Sequence, residues 1–303
     1  MADEIIIRRG TAADSYQTFL IFESAIADLM KRMGSSEQPR IADPEHAEKM
    51  WQQRKSLFEH LAAHATEFWV AARDERVLGY SRSILRENTL ELTELMILPE
   101  AQSLGFGREL IERAFSNIEA NHRSIIATPD WRAQKLYLKN GVYPRFAIYY
   151  FGREPQQVAY ETDLEIVAIP ADPETYAALG EIDKAIIGHC RDQEHEWLAV
   201  DRQGFLYYRS QNLVGYGYIG ELNGPFALLD AADFPAVMAH AETQAALAGR
   251  EHFGLEIPTI NNIVMAHLLE RGFEPGNFAT IYMTDQPTGK FENYVFTAPI
   301  FFV

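Results

Sequence analysis

The sequence predicts a mixed α/β fold made of two tandem halves, each a mixed β-sheet flanked by helices. Segments with the apolar alternation of strands are followed by segments with the 3.6-residue apolar periodicity of helices, and this order recurs along the chain. Between Leu95 and Leu110, a strand enters a glycine-containing loop and then a helix. Short motifs of the first half also recur in the second half at a nearly constant interval. A chain of 303 residues is long enough for each half to bury its own core.

The first half contains alternating strand and helix patterns. We expect strands at 4–9, 68–72, 77–85, 90–98, 124–128 and 145–151, the last as the closing strand of its domain. We expect helices at 11–33 with Thr11 as N-cap, 45–65, 108–120 and 131–139, with Gly141 as a helix stop. The polar segment 34–44, which contains two prolines, is predicted to be a loop.

The second half repeats features of the first. Gly79-Tyr80 recurs as Gly215-Tyr216, and a glycine followed three residues later by proline occurs at both Gly141 and Gly272. The same interval carries the glycine loop onto residues 233–243, which contain no glycine. Duplication therefore predicts a degenerate second domain that supports the first or shapes its substrate cleft, and the alternative is that two short matches arose by chance.

The predicted domain bounds are 1–152 and 161–303. Residues 153–160 are polar, contain one proline and are the candidate linker. The apolar tail 294–303 must be covered, either as a strand of its own domain or at an interface between subunits, and the first arrangement is preferred. The oligomeric state is left open.

The composition excludes several classes of partner. The net charge of −16 repels nucleic acid and favours a cationic or neutral small molecule. No apolar run reaches the roughly 18 residues that a membrane helix needs, and the N-terminal residues lack the pattern of a secretory signal. The single cysteine, Cys190, cannot form an internal disulfide. We therefore expect a cytoplasmic protein without a membrane or nucleic-acid partner.

The segment from Leu95 to Leu110 has the layout of a pyrophosphate cradle. Pro99 ends the strand, and Gln102-x-x-Gly105-x-Gly107 precedes a helix. The start of a helix carries unpaired N–H groups and the positive end of the peptide dipole, and glycines let the main chain approach a phosphate. A Rossmann loop would need a third glycine, and a Walker loop would need Gly-Lys-Ser or Gly-Lys-Thr; neither is present.

This order of strand, proline, Gln-x-x-Gly-x-Gly and helix resembles the coenzyme A loop of the GCN5-related N-acetyltransferase (GNAT) superfamily. The whole chain resembles the tandem type with a degenerate second domain. The resemblance implies acetyl-CoA as cosubstrate, no metal, and direct transfer of an acetyl group to the amine of a small molecule or amino-acid-like acceptor. It also implies that the Ile97 N–H, between Met96 and Leu98, faces the thioester carbonyl. The implied pyrophosphate ligands are Gln102, Ser103, Leu104, Gly105, Phe106, Gly107 and Arg108.

Tyr137, in the segment LYLKNG, occupies the position where many members carry the tyrosine that protonates the coenzyme A sulfur. The resemblance therefore implies that Tyr137 is the general acid. Two departures from the family pattern concern the adenine side: Asp130 or Trp131 falls where an asparagine is usual, and Val142 falls where an aromatic residue is usual. A non-catalytic acyl-CoA-binding or regulatory module is the alternative function.

For the general base, we prefer Glu94, with Glu91 as the alternative. Strict strand alternation turns Glu94 away from the face of Ile97 and puts Glu91 on the same face as Leu95. A carboxylate here could take the ammonium proton through a water molecule, or it could be an exposed strand residue. No full zinc ligand set is recognised: His60 and His64 form one pair, and His189, Cys190 and His195 form one group.

Overall fold

The computed structural model describes residues 4–34, 40–298, 300 and 303. The strands are β1 (Ile6–Arg9), β2 (Glu67–Arg73), β3 (Arg76–Arg86), β4 (Thr89–Ile97), β5 (His122–Ala127), β6 (Tyr143–Arg153), β7 (Glu165–Ala168), β8 (Gln203–Arg209), β9 (Asn212–Ile219), β10 (Phe226–Leu228), β11 (Phe253–Pro258), β12 (Glu274–Thr284) and β13 (Tyr294–Val295). The helices are α1 (Ser15–Arg32), α2 (Pro44–His64), α3 (Phe106–Ile111), α4 (Trp131–Lys139), α5 (Pro173–Ile186), α6 (Asp192–Asp201), α7 (Phe234–Leu247) and α8 (Asn262–Glu270).

The elements of the first half follow the predicted order, and most of their ends agree within about three residues. The main difference is the helix predicted at 108–120, which begins at Phe106 and changes to a π-helical turn over Glu112–Ser116. Thr11 caps a short 3₁₀ turn that precedes α1. Gly141 ends α4 with a φ of +81°. Residues 35–39 of the predicted loop 34–44 lie outside the described part of the chain.

The chain groups into two compact units. Unit 1 comprises Met1–Ile125 and Lys135–Asn140, and unit 2 comprises Ile126–Gln134 and Gly141–Val303. These bounds differ from the predicted domains because β6 pairs along both edges with strands of the second half, β11 and β12. The prediction that β6 closes the sheet of the first domain is therefore wrong. The sequence repeat between the two halves carried no information about the strands with which β6 pairs.

Unit 1 is built on a sheet in which β1, β2, β3 and β4 are antiparallel neighbours and β5 joins β4 in parallel. The parallel pairing runs from Thr89 opposite His122 to Leu92 opposite Ile125. An apolar core forms where the sheet meets α3, and it includes Val70, Leu78 and Leu110. This arrangement places the end of β4 and the start of α3 next to each other.

A β-bulge in β4 changes the predicted direction of its side chains. Arg82 of β3 lies opposite Glu94, whereas the next residue of β3 lies opposite Leu92, so Thr93 is the extra residue. Residues opposite each other share a face. Glu91 therefore shares a face with Glu94 and not with Leu95. The prediction from strict alternation is wrong for Glu91, because a bulge adds one residue to the count.

Unit 2 contains a five-stranded sheet in the order β13-β10-β9-β8-β7, and the strands β12, β6 and β11 that pair side by side. Helices α5 and α6 pack on one apolar cluster, and α7 and α8 pack on another.

The segment predicted as a linker is bound to α7: the Gln156 N–H donates to Glu242 and the Val158 N–H donates to Thr243. Among the described residues, no helix combines the length and the apolar character that a membrane span requires.

Candidate functional site

The turn after β4 is a tight, hydrogen-bonded structure. Residues Pro99–Ala101 form a 3₁₀ turn. The Leu98 carbonyl accepts hydrogen bonds from the N–H groups of Ala101, at 2.9 Å, and Gln102, at 3.1 Å. The Gln102 side chain then reaches back and donates to the Ile97 carbonyl at 3.4 Å. Gln102 therefore ties the loop to the end of the strand, a structural role beside the predicted one at the pyrophosphate.

The two glycines of the loop have different structural roles. Gly105 has a φ of +95°, and a Cβ at this position would meet no atom within 4 Å. The main chain here borders open space that a ligand could fill. A Cβ at Gly107 would instead lie 2.8 Å from Cδ1 of Ile97, so this glycine allows the helix to pack closely against β4. Only Gly105 has the open surroundings that the phosphate prediction requires.

The side chains around the loop leave its outer surface accessible. Phe106 is only 8% exposed and turns inward, towards Gly79 of β3. Ser103, which has a φ of +73°, Leu104 and Arg108 are exposed. Within the described part of the chain, Arg108 forms no ion pair. A free guanidinium at a helix start is suited to bind an anion.

The main chain of Ile97 faces the edge at which β4 and β5 separate. The Leu98 N–H donates to Leu78 of β3 at 2.9 Å. Alternate residues of a strand bond to the same neighbour, so the N–H and carbonyl of Ile97 point to the opposite edge. On that edge, the ladder with β5 extends only as far as Leu92. Met96, opposite Tyr80, and the buried Leu98 flank this position, and their predicted place beside the cosubstrate stays a prediction.

Glu94 lies in a buried ion pair rather than on an open surface. Its side chain is 1% exposed, and Oε2 is 2.7 Å from Nε of Arg82, which is 0% exposed. The Tyr80 hydroxyl donates to Oε1 at 2.5 Å. Burial raises the pKa of the Glu94 carboxyl, although the Arg82 charge and the Tyr80 hydrogen bond act in the opposite direction. The expectation that this carboxylate could be an exposed strand residue is wrong.

Arg82 connects this pair to helices α1 and α2. It donates to the Phe58 carbonyl of α2 at 3.0 Å and to the Thr18 hydroxyl of α1 at 3.1 Å. The alternative base, Glu91, is also buried and pairs with Arg86 at 2.8 Å. The sequence analysis did not identify Arg82 or Tyr80 as partners of Glu94. An arginine in the middle of a predicted strand, between the apolar residues Leu78 and Ile84, was the signal that could have indicated Arg82.

Tyr137 lies near the C-terminal end of α4 and is 6% exposed. Its carbonyl accepts from the Asn140 N–H at 2.9 Å. The Asn140 side chain donates to the Leu136 carbonyl at 2.8 Å and is hydrogen-bonded to Ser116, at the end of the helix that follows the glycine loop. The end of α4 is thereby fixed to that helix within unit 1. The predicted role of the phenol stays a prediction.

The corresponding helix start in the second half is capped by acids instead of glycines. The Asp230 side chain accepts from the Ala232 N–H at 2.9 Å, just before α7. Asp233 is held by Arg209 at 2.6 Å. The Asp230 carboxylate caps the 3₁₀ turn that leads into α7, and negative charge at this helix start repels a phosphate. This structure agrees with the absence of a glycine cradle from residues 233–243.

The segment that contains β13 contacts both β10 and β11 in unit 2. It pairs with β10, where Phe226 lies opposite Val295, and the Phe296 N–H donates to the Glu256 carbonyl of β11 at 2.9 Å. Tyr294, Val295 and Phe296 are all 0% exposed. In its described residues, the tail therefore forms a strand within unit 2, the arrangement that the sequence analysis preferred. Pro299, Phe301 and Phe302 lie outside the described part of the chain.

The histidines named in the sequence analysis have structural contacts. His64 Nδ1 is 2.9 Å from the His60 carbonyl. His195 is 0% exposed and lies between the Asp183 carboxylate, at 2.8 Å, and the Tyr218 hydroxyl, at 2.9 Å. Across the described chain, no three His, Cys, Asp or Glu side chains are grouped as metal ligands are.

Comparisons with known proteins agree with this fold. Residues 64–143 match the family model of the acetyltransferase (GNAT) domain. No curated protein matches the chain. A crystal structure from Pyrococcus horikoshii, assigned as an acetyltransferase, is 15% identical with a TM-score of 0.72, covering 97% of this chain and 94% of that one. A GCN5-related N-acetyltransferase from Sphaerobacter thermophilus is 14% identical with a TM-score of 0.59, covering 95% and 98%.

A tandem GNAT protein from the clavulanic acid biosynthesis pathway is also similar, with 14% identity, a TM-score of 0.50 and coverage of 94% and 100%. The matched segment spans β3, β4, the glycine loop and α4, which are the elements described above. The chain thus contains a GNAT acetyltransferase domain. Over nearly its whole length, the chain shares the fold of these GNAT structures, one of which is a tandem GNAT protein.

Proposed function

We propose that the protein is an acetyl-CoA-dependent N-acetyltransferase that moves an acetyl group to the amine of a small molecule or amino-acid-like acceptor by direct attack. One observation carries the proposal: the Ile97 N–H points to the edge where β4 has left β5, next to a loop whose Gly105 borders open space. This arrangement offers one amide for a developing oxyanion and several for a diphosphate.

In this proposal, the bound cosubstrate supplies the activated acyl group, and the chain binds and polarises it. The loop from Gln102 to Arg108 holds the pyrophosphate through its amides and the free guanidinium of Arg108. The Ile97 N–H stabilises the negative charge that develops on the carbonyl oxygen when the amine attacks. Tyr137 gives its phenolic proton to the leaving sulfur.

The proposed base needs a route for the proton, because the Glu94 carboxylate is engaged by Arg82 and Tyr80. A proton from the acceptor ammonium reaches Glu94 only through one of these groups or through a water molecule that enters between them. The negative net charge favours a cationic acceptor that loses its proton in the site. A small-molecule acceptor and a cytoplasmic location complete the proposal.

Binding of the cosubstrate is tested with Gly105→Ala. We expect acetyl-CoA to bind the wild-type protein in isothermal titration calorimetry, and the added methyl group to weaken this binding about tenfold, or 1.4 kcal/mol. The reason is that the new Cβ enters the open space beside the loop. At a φ of +95°, alanine also costs about 1 kcal/mol of folding free energy.

Gly249→Ala is the matched control, because Gly249 also has a positive φ and open space around its Cβ. It should lower stability similarly and leave the affinity for acetyl-CoA unchanged. Equal affinities for all three proteins would contradict the assignment of the loop. Binding without turnover of any amine in a broad panel would favour the alternative, a non-catalytic acyl-CoA-binding module.

A further inference from the structure

In unit 2, the rings of Tyr150 and His252 lie flat over two glycines of the paired strands β6 and β11. Gly152 of β6 and Gly254 of β11 are directly opposite each other. A Cβ at Gly254 would overlap the Tyr150 hydroxyl, and a Cβ at Gly152 would lie 2.5 Å from Nε2 of His252. The Tyr150 hydroxyl is 2.6 Å from His252 Nε2, and the ring planes differ by 17°. Both rings therefore lie flat because these two positions have no side chain.

The carboxyl group of Glu256 stands beside this aromatic surface. Glu256 of β11 lies directly opposite Tyr150 of β6, so the two side chains are on the same face of the paired strands. Burial raises the pKa of the Glu256 carboxyl to about 8, and burial together with Glu256 raises the pKa of Tyr150. Among the described residues, no side chain forms a hydrogen bond or ion pair with the Glu256 carboxyl.

This isolation distinguishes Glu256 from other acids in the interior of the two units. Three of them pair with arginines at 2.7 to 2.8 Å: Glu94 with Arg82, Glu91 with Arg86 and Asp183 with Arg191. Partial burial of an ionised carboxyl group without a partner costs desolvation free energy, and a cation bound next to the group offsets that cost. Tyr150, Glu256 and the exposed His252 also retain contact with solvent. A ligand can therefore reach the group.

We propose that Tyr150, His252 and Glu256 form a binding site for a small organic ammonium ion. The carboxylate supplies the opposite charge, and the Tyr150 face supplies the negative side of an aromatic quadrupole, the two features that recognise ammonium groups in water. The net charge of −16 attracts such an ion. All three residues belong to unit 2, whereas the proposed acetyl-CoA loop belongs to unit 1.

The test uses benzyltrimethylammonium as probe and benzyl alcohol as its neutral comparator. A quaternary ammonium cannot accept an acetyl group, so its binding is independent of turnover and of the proposed enzymatic function. We expect calorimetric titration at pH 8.5 to show binding of the cation about tenfold or more tighter than that of the alcohol. Equal binding of both probes would overturn the proposal.

Two variants locate the binding. Glu256→Gln should weaken binding of the cation at least about tenfold, and Tyr150→Leu should weaken it about three- to tenfold. Glu165→Gln is the control with the same change of charge, because Glu165 is exposed on β7, in the other sheet of unit 2. Thermal unfolding checks that each variant folds. If Tyr150→Leu does not fold, Glu256→Gln decides alone, and wild-type affinity in that variant would overturn the proposal.

A pH series separates the carboxylate from a general charge effect. The cation binds the ionised carboxyl group, so the affinity of the wild-type protein should rise about tenfold between pH 7 and pH 9, through the pKa of about 8. Tyr150 and His252 are the other titratable members of the site, and Glu274 of β12 lies opposite Gly152 on the same face. The rise should persist in His252→Asn and disappear in Glu256→Gln. A rise that persists in Glu256→Gln would overturn the role of this carboxyl group.

Discussion

Tyr137→Phe is expected to lower kcat by about two to four orders of magnitude and to leave the affinity for acetyl-CoA within about twofold of wild type. The variant removes the phenolic proton proposed for the leaving thiolate and keeps the ring, which is 6% exposed on α4. Steady-state release of free thiol measures kcat, and calorimetric titration measures the affinity. A loss confined to kcat is the signature of a group that acts in the transition state.

Tyr143→Phe is the matched control for this variant. Tyr143 is 50% exposed at the start of β6, so loss of its hydroxyl should change neither kcat nor affinity. If Tyr137→Phe turns over as fast as wild type, the phenol is not the acid. A matching loss of acetyl-CoA affinity would instead indicate that Tyr137 positions the cosubstrate.

Glu94→Ala is expected to lower the free energy of unfolding by about 3–5 kcal/mol. The variant leaves the guanidinium of Arg82 buried without its carboxylate, while the backbone of α2 and the Thr18 hydroxyl still accept its other hydrogen bonds. Urea or guanidinium denaturation followed by circular dichroism gives the value. A loss below about 1 kcal/mol would show that the pair is hydrated in solution and stabilises as weakly as a surface ion pair.

The double variant Arg82→Met with Glu94→Leu separates stability from catalysis. Replacing both charges by apolar side chains removes the desolvation cost together with the attraction, so most of the lost stability should return. The restored protein lacks the proposed base but keeps Tyr137 and the loop. If Glu94 is the base, kcat should fall and its pH dependence should change. Turnover equal to that of wild type would assign Glu94 a structural role alone.

Local patterns of the sequence were sufficient for the elements around the glycine loop. Pro99, Gly105 and the apolar strand before them have strong local preferences, and strand, 3₁₀ turn and helix follow in the predicted order. The positive φ at Gly141 and Gly272 likewise agrees with a glycine at each helix end. At these places, tertiary contacts and local preference favour the same conformation.

Features that depend on pairing between distant residues could not be predicted. The bulge at Thr93 depends on the register between β3 and β4, which period-two counting cannot detect. The Arg82–Glu94 pair follows from that register. The different roles of Gly105 and Gly107 depend on whether a Cβ would meet Ile97, a contact between strand and helix. The pairing of β6 with β11 and β12 joins residues 100 or more positions apart.

The position of β6 has a consequence for the synthesis of the chain. Both of its hydrogen-bonding edges are completed by strands that the ribosome makes much later, since β11 begins at Phe253 and β12 ends at Thr284. At usual rates of elongation, β6 waits on the order of ten seconds for these neighbours. During that time the nascent polypeptide exposes an unpaired strand to aggregation, and holdase chaperones are the factors suited to shield it.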